Sequence, residues 1–112
     1  MENRVKITVL RREYYQDFAD RYLKDPNVGR CPMFTEGQEF IVGEKDFETF
    51  PYENRFCKTA WEVFKWKIYS VMQGGELYRD GWMRNRREMV VCCDDGVRPV
   101  VFLLEALPAQ DQ

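Results

Sequence analysis

The sequence predicts an α+β domain of about four largely antiparallel strands with two helices packed on one face. Three stretches predict it. Residues 4–10 alternate polar and apolar side chains, residues 57–72 carry a narrow apolar stripe at helical spacing, and residues 89–104 hold two β-branched runs around a polar segment. With 112 residues the chain is read as one domain, large enough to bury its own core.

Composition narrows the function classes. Hydrophobic residues make up 45% and aromatics 15%, so the chain is globular rather than disordered. A net charge of -2 and a pI of about 5.2 argue against a general nucleic-acid binder. No apolar run approaches the roughly 20 residues needed to span a bilayer, so no membrane partner is expected. The N-terminal residues lead straight into a strand-like run with no signal-peptide character. The expected location is therefore cytoplasmic, with the four cysteines as reduced thiols. The chain has no histidine, which removes the usual general base and the commonest metal ligand.

In chain order, Val5, Ile7 and Val9 are the inward residues of a half-buried first strand. From residue 13 to 24 the period changes: Tyr14, Tyr15, Phe18, Ala19, Tyr22 and Leu23 form one face of an amphipathic helix. Asp25-Pro26-Asn27-Val28-Gly29 stops it. A loop at 30–37 precedes a second strand at 38–42. Residues 43–55 form a long connection whose Phe47, Phe50, Pro51 and Tyr52 pack onto the body. In the second helix Cys57, Ala60, Trp61, Phe64, Ile68, Val71 and Met72 share one stripe, with Asn54 as N-cap and Gly74-Gly75 as the stop. Trp66 stands on the opposite, polar face and marks a second contact surface, most simply that of a homodimer.

Residues 76–88 are irregular, with Arg79, Trp82, Arg84, Arg86 and Arg87. Their acidic neighbours Glu76, Asp80 and Glu88 make a solvated loop the better reading than a nucleic-acid patch, and Trp82 is an interface or pocket candidate. The last two strands lack clean alternation, so both are expected near the middle of the sheet, covered on both faces. The tail at 108–112 is expected to fray.

Several motifs recur together in one order: Val5-Lys6-Ile7-Thr8-Val9, Cys31-Pro32 with Gly37-Gln38-Glu39-Phe40, Phe56-Cys57-x-x-Ala60-Trp61, Gly74-Gly75, and Cys92-Cys93-Asp94-Asp95-Gly96-x-x-Pro99-Val100-Val101-Phe102. In this the chain resembles a family of small uncharacterised bacterial and archaeal proteins, over almost its whole length. The resemblance implies no established activity, substrate or cofactor. Members of that family often place a histidine a few residues after the Cys-Pro pair, where this chain has Thr35. That departure weighs against a Cys/His metal site here.

The chemistry-bearing candidates are Cys31, Cys57, Cys92 and Cys93. Three or four converging thiolates would suit zinc or an iron–sulfur cluster. No C-x₂₋₄-C pair is present to fix two ligands at once, and Cys92 and Cys93 point to opposite faces of a regular strand. A thiol-reactive role has support in Cys57 near a helix N-terminus and Cys31 beside Arg30, but no C-x-x-C and no base accompany them. Buried cysteines commonly serve as small core residues, and that is the favoured reading. Asp94, Asp95 and Gly96 make a turn across which Arg98 pairs with an acid, with Pro99 opening the next strand. The functional version has Asp94, Asp95 and Arg98 facing a pocket with Cys31. The favoured function is a non-enzymatic binding or interaction domain; the alternative is a thiol- or metal-dependent site built from Cys31, Cys57 and one of Cys92 and Cys93.

Overall fold

The computed structural model of the chain describes residues 3–77 and 80–108. It shows an α+β fold: a four-stranded antiparallel sheet with helices. The strands are β1 (Arg4–Arg12), β2 (Glu39–Gly43), β3 (Glu88–Cys92) and β4 (Val100–Leu107), in spatial order β2-β1-β4-β3. The helices are α1 (Gln16–Tyr22), α2 (Phe50–Glu53) and α3 (Lys58–Met72). None of the described helices is long and apolar enough to cross a membrane.

Strand alternation decides the two faces of the sheet. Val5, Ile7 and Val9 of β1 and Val100, Phe102 and Leu104 of β4 are fully buried on the helix side, with Val42 of β2 and Met89 of β3 beside them. The other face is held by its polar residues. Lys6 reaches Glu39 at 3.9 Å and Glu105 at 3.6 Å, while Glu105 stands directly opposite Glu88 in the register. Lys6 thus offsets a like-charge cross-strand pair that would otherwise weaken the β3–β4 ladder. The expectation that both C-terminal strands are central holds only for β4. β3 is an edge strand with Val90 exposed, because its apolar run covers one face of a short five-residue strand and not two.

The predicted α3 stripe is buried at all six positions from Ala60 to Met72, and the helix lies against β1 and β3. Its N-cap is Cys57 rather than Asn54, since a separate helical turn, α2, comes first and Asn54 is its C-cap. Arg55 then takes the left-handed conformation at φ 52°, and the N–H of Phe56 donates back to the Pro51 carbonyl at 2.9 Å. A residue in this position lets the chain leave one helix and turn sharply into the next. Phe56 is thereby driven into the centre of the core. Its ring meets Phe34, Phe40, Phe50, Trp61, Phe64 and Phe102, with centroids 5.0 to 6.3 Å apart.

α1 departs from the prediction. It is seven residues long rather than twelve, and Ala19 is its only buried residue. Tyr15, Phe18 and Tyr22 are exposed, so the aromatic face does not pack on the sheet. Hydrogen bonds hold the segment instead. The N–H groups of Glu13 and Tyr15 donate to the carbonyls of Pro99 and Val97, and Tyr14 and Gln16 both donate to the carbonyl of Pro26. β3 and β4 are consecutive antiparallel partners joined by a connection at 93–99, which holds the Asp94-Asp95-Gly96 turn. Of the expected frayed tail, Pro108 is exposed and the rest lies outside the described residues.

Two outcomes follow for stability. Phe56→Ala removes the ring common to six aromatic contacts and is expected to cost about 3–5 kcal/mol in urea unfolding. Arg55→Gly removes the left-handed side-chain penalty and is expected to raise stability by about 1 kcal/mol in the same assay. A loss of stability in the second variant would show that the Arg55 side chain contributes more than its backbone costs.

Candidate functional site

Alternation along β3 separates the adjacent cysteines, as a regular strand requires. Cys92, in register with Val101, lies on the uncovered face and is exposed; Cys93 packs against the core and its N–H donates to the Val100 carbonyl at 3.1 Å. The Val100 N–H in turn donates to the Cys93 sulfur at 3.4 Å. Cys31 and Cys57 also border the core, half-buried. Cys57 Sγ lies 3.1 Å from the hydroxyl of Thr59 in the first turn of α3. Cys31 is fixed through its backbone, since the Arg12 guanidinium donates to its carbonyl at 3.0 Å. Three thiols therefore edge one aromatic core from three different elements. Among the described residues no three cysteine or carboxylate side chains come together as a set able to hold a metal ion.

The anchor of the Cys31 loop was not legible in the sequence. Arg12 lies at the end of β1 and Glu36 in the following loop. Arg12 Nε donates to Glu36 at 3.1 Å, and the Arg12 N–H donates to the other oxygen of the same carboxylate at 3.1 Å. These bonds, led by the Arg12 side chain, hold the Glu36 carboxyl below the usual carboxylate range. No local pattern signals a pair twenty-four residues apart.

The β3–β4 connection behaves as its residue types predict. One Asp95 oxygen accepts from the N–H groups of Val97 at 2.8 Å and Arg98 at 3.0 Å, and the Arg98 guanidinium stands 3.8 Å from the other oxygen. Hydrogen bonding from the Arg98 amide lowers the Asp95 pKa; burial pushes back, and the Val97 amide and the Arg98 charge add to the lowering. Asp94 is exposed.

Asp95 and Arg98 do face a pocket, but it is not the one with Cys31. A shallow cleft of about 360 Å³ lies between this turn and the segment leaving α1, lined by Leu23, Lys24, Asp25, Val28, Asp95, Val97 and Arg98. Its walls are mainly apolar. A more polar cleft of about 260 Å³, near Asn3, Leu77, Arg86 and Arg87, contains none of the predicted candidates.

The two tryptophan candidates are both exposed, Trp66 at 63% and Trp82 at 64%. Trp66 belongs to an ordered strip along the outer side of α3. Val63 is 47% exposed and Tyr69 41%, and the three recur at every third residue. Tyr69 meets the Trp66 ring edge-on at 5.6 Å, and the Lys65 ammonium lies 5.1 Å from the ring centre. Arg79, in the arginine-rich stretch before β3, lies outside the described residues.

Comparison of the chain with protein-family models, with curated proteins and with solved structures finds no match in any of the three.

Two outcomes test this geometry. In native protein at neutral pH, Cys92 is expected to react first with a small alkylating reagent, and Cys92→Ser to remove the fast phase. A fast phase that survives the substitution would place a reactive thiol at one of the three half-buried sites. Asp95 is held below its ordinary 3.8, so its stabilising charge is present above that value and lost as pH falls through the lowered one. The stability gap between wild type and Asp95→Asn should stay constant above about pH 5 and close under more acid conditions.

Proposed function

We propose that the domain is a non-enzymatic interaction module whose working surface is the outer face of α3, and that its partner there is a second copy of the chain. One observation carries this reading: Val63, Trp66 and Tyr69 form a continuous exposed apolar strip on a helix whose opposite side is wholly committed to the core. A tryptophan exposed to this degree has little structural reason to be there, and aromatic residues are enriched in interface centres.

The spacing supports self-association. Val63 and Tyr69 lie three residues to either side of Trp66, so an antiparallel pairing of two α3 helices about a two-fold axis at Trp66 sets each Val63 against the other copy's Tyr69. The rim is partly neutralised, because Lys65 pairs with Glu62 at 2.9 Å. The neighbouring Tyr69 and Lys65 contacts already orient the Trp66 ring, which reduces the side-chain ordering that association would demand.

Sedimentation or light scattering at tens of micromolar is expected to give twice the 13.5 kDa chain mass. Trp66→Glu should return the mass to that of one chain while the far-ultraviolet circular dichroism is unchanged. A wild-type protein that remains monomeric at that concentration overturns the reading.

A further inference from the structure

The cleft between α1 and the β3–β4 connection is lined by charged groups that play different parts in its structure. Two cations and two acids line it, but they are not equivalent. Asp25 accepts the N–H of Asn27 at 2.9 Å, and Asp95 accepts those of Val97 and Arg98. Both carboxylates are thus engaged in forming the turns that build the walls. The cations are not engaged in this way. Lys24 has no acidic partner within ion-pair distance among the described residues, and Arg98 holds Asp95 only at 3.8 Å, beyond hydrogen-bond range. Around them Leu23, Val28 and Val97 present apolar surface, with Val28 48% exposed.

The walls are also fixed in advance. Residue 26, in the middle of the first wall, accepts hydrogen bonds from Tyr14 and Gln16. The second wall is tied to the start of α1 through Tyr15 N–H to Val97 O at 2.8 Å and Glu13 N–H to Pro99 O at 2.9 Å. Two loops some seventy residues apart in sequence are therefore held as one site. Apolar walls with a few convergent polar groups, at a volume of about 360 Å³, match the usual form of a small-molecule pocket.

We propose that this cleft binds a small carboxylate with an apolar body: the body against Leu23, Val28 and Val97, the carboxylate paired with Arg98 and Lys24. A guanidinium offers the carboxylate two parallel N–H donors, and Lys24 supplies a second positive charge. The volume lies toward the small end of the usual range for small-molecule pockets, which suits a ligand of modest size. The site is separate from the α3 face and does not depend on the dimer.

The test is a titration of isotope-labelled protein with 4-phenylbutyrate, followed through backbone amide resonances. Shifts are expected at residues 23–28 and 95–98, with the neutral 4-phenylbutanamide binding at least tenfold more weakly. Arg98→Gln and Lys24→Gln should each weaken the acid at least fivefold and leave amide binding unchanged. The Arg98 side chain takes no part in the Asp95–amide hydrogen bonds, and Lys24 lies on an exposed loop, so both variants are expected to keep the wild-type spectrum elsewhere. Equal affinity for acid and amide, shifts centred on other residues, or no shifts at millimolar ligand would overturn the proposal.

Discussion

Phe56 is the contact on which the rest of the arrangement depends. It touches aromatic residues from the loop before β2, from β2 itself, from α2, from α3 and from β4. Among the described aromatic residues none other meets as many rings. Reaching that place requires the left-handed residue at Arg55, which reverses the chain between α2 and α3. With the 60–72 stripe seated on the sheet, Trp66 has no direction left but outward, and Cys57 is left at the helix start on the edge of the core.

What could be read in the sequence was whatever repeats at the period of its own element. Val5, Ile7 and Val9, and the α3 stripe, are each repeated several times over, and local signals of that kind survive folding intact. The failures have physical causes. The apolar face of α1 has helical spacing, yet Phe18 and Tyr22 stay exposed because hydrogen bonds to Val97, Pro99 and Pro26 anchor the segment without burial. β3 read as doubly covered since Met89 to Cys93 is continuously apolar, but so short a run cannot tell an edge strand from a central one. α2, at four residues, spans barely one helical turn of 3.6 residues, too little for any position to repeat. The residues at the turn were legible as turn residues, and the opposition of Cys92 and Cys93 followed from alternation alone. Their surroundings were not legible: the cleft and the Arg12–Glu36 anchor both join segments that only the finished sheet brings together.

The candidate surfaces are distributed over different parts of the domain. The α3 strip lies on the outer side of the helical layer, the cleft lies beside the β3–β4 connection, and Cys92 faces outward from the uncovered side of the sheet. Each rests on a different set of supports: core packing for α3, turn and tether hydrogen bonds for the cleft, and strand pairing for Cys92. Cys92 and the cleft are neighbours along the chain, since β3 runs into the connection that carries Asp95 and Arg98, whereas the α3 strip belongs to a separate element.

The β1–β4 register slips between Val9 and Arg11, leaving Leu10 as an inserted residue. Before the slip odd-numbered residues of β1 face the core; after it Arg12 pairs with the buried Val100, and Arg11 with the outward Val101. The insertion therefore chooses which of two adjacent arginines is turned toward the Cys31 loop. Arg12 takes Glu36 and the Cys31 carbonyl, while Arg11 is left outside with Glu13 at 2.6 Å. Leu10 acts as a phase switch in the strand: were it paired in a regular ladder instead of inserted, Arg11 would take the inward place opposite Val100 and Arg12 would be turned out.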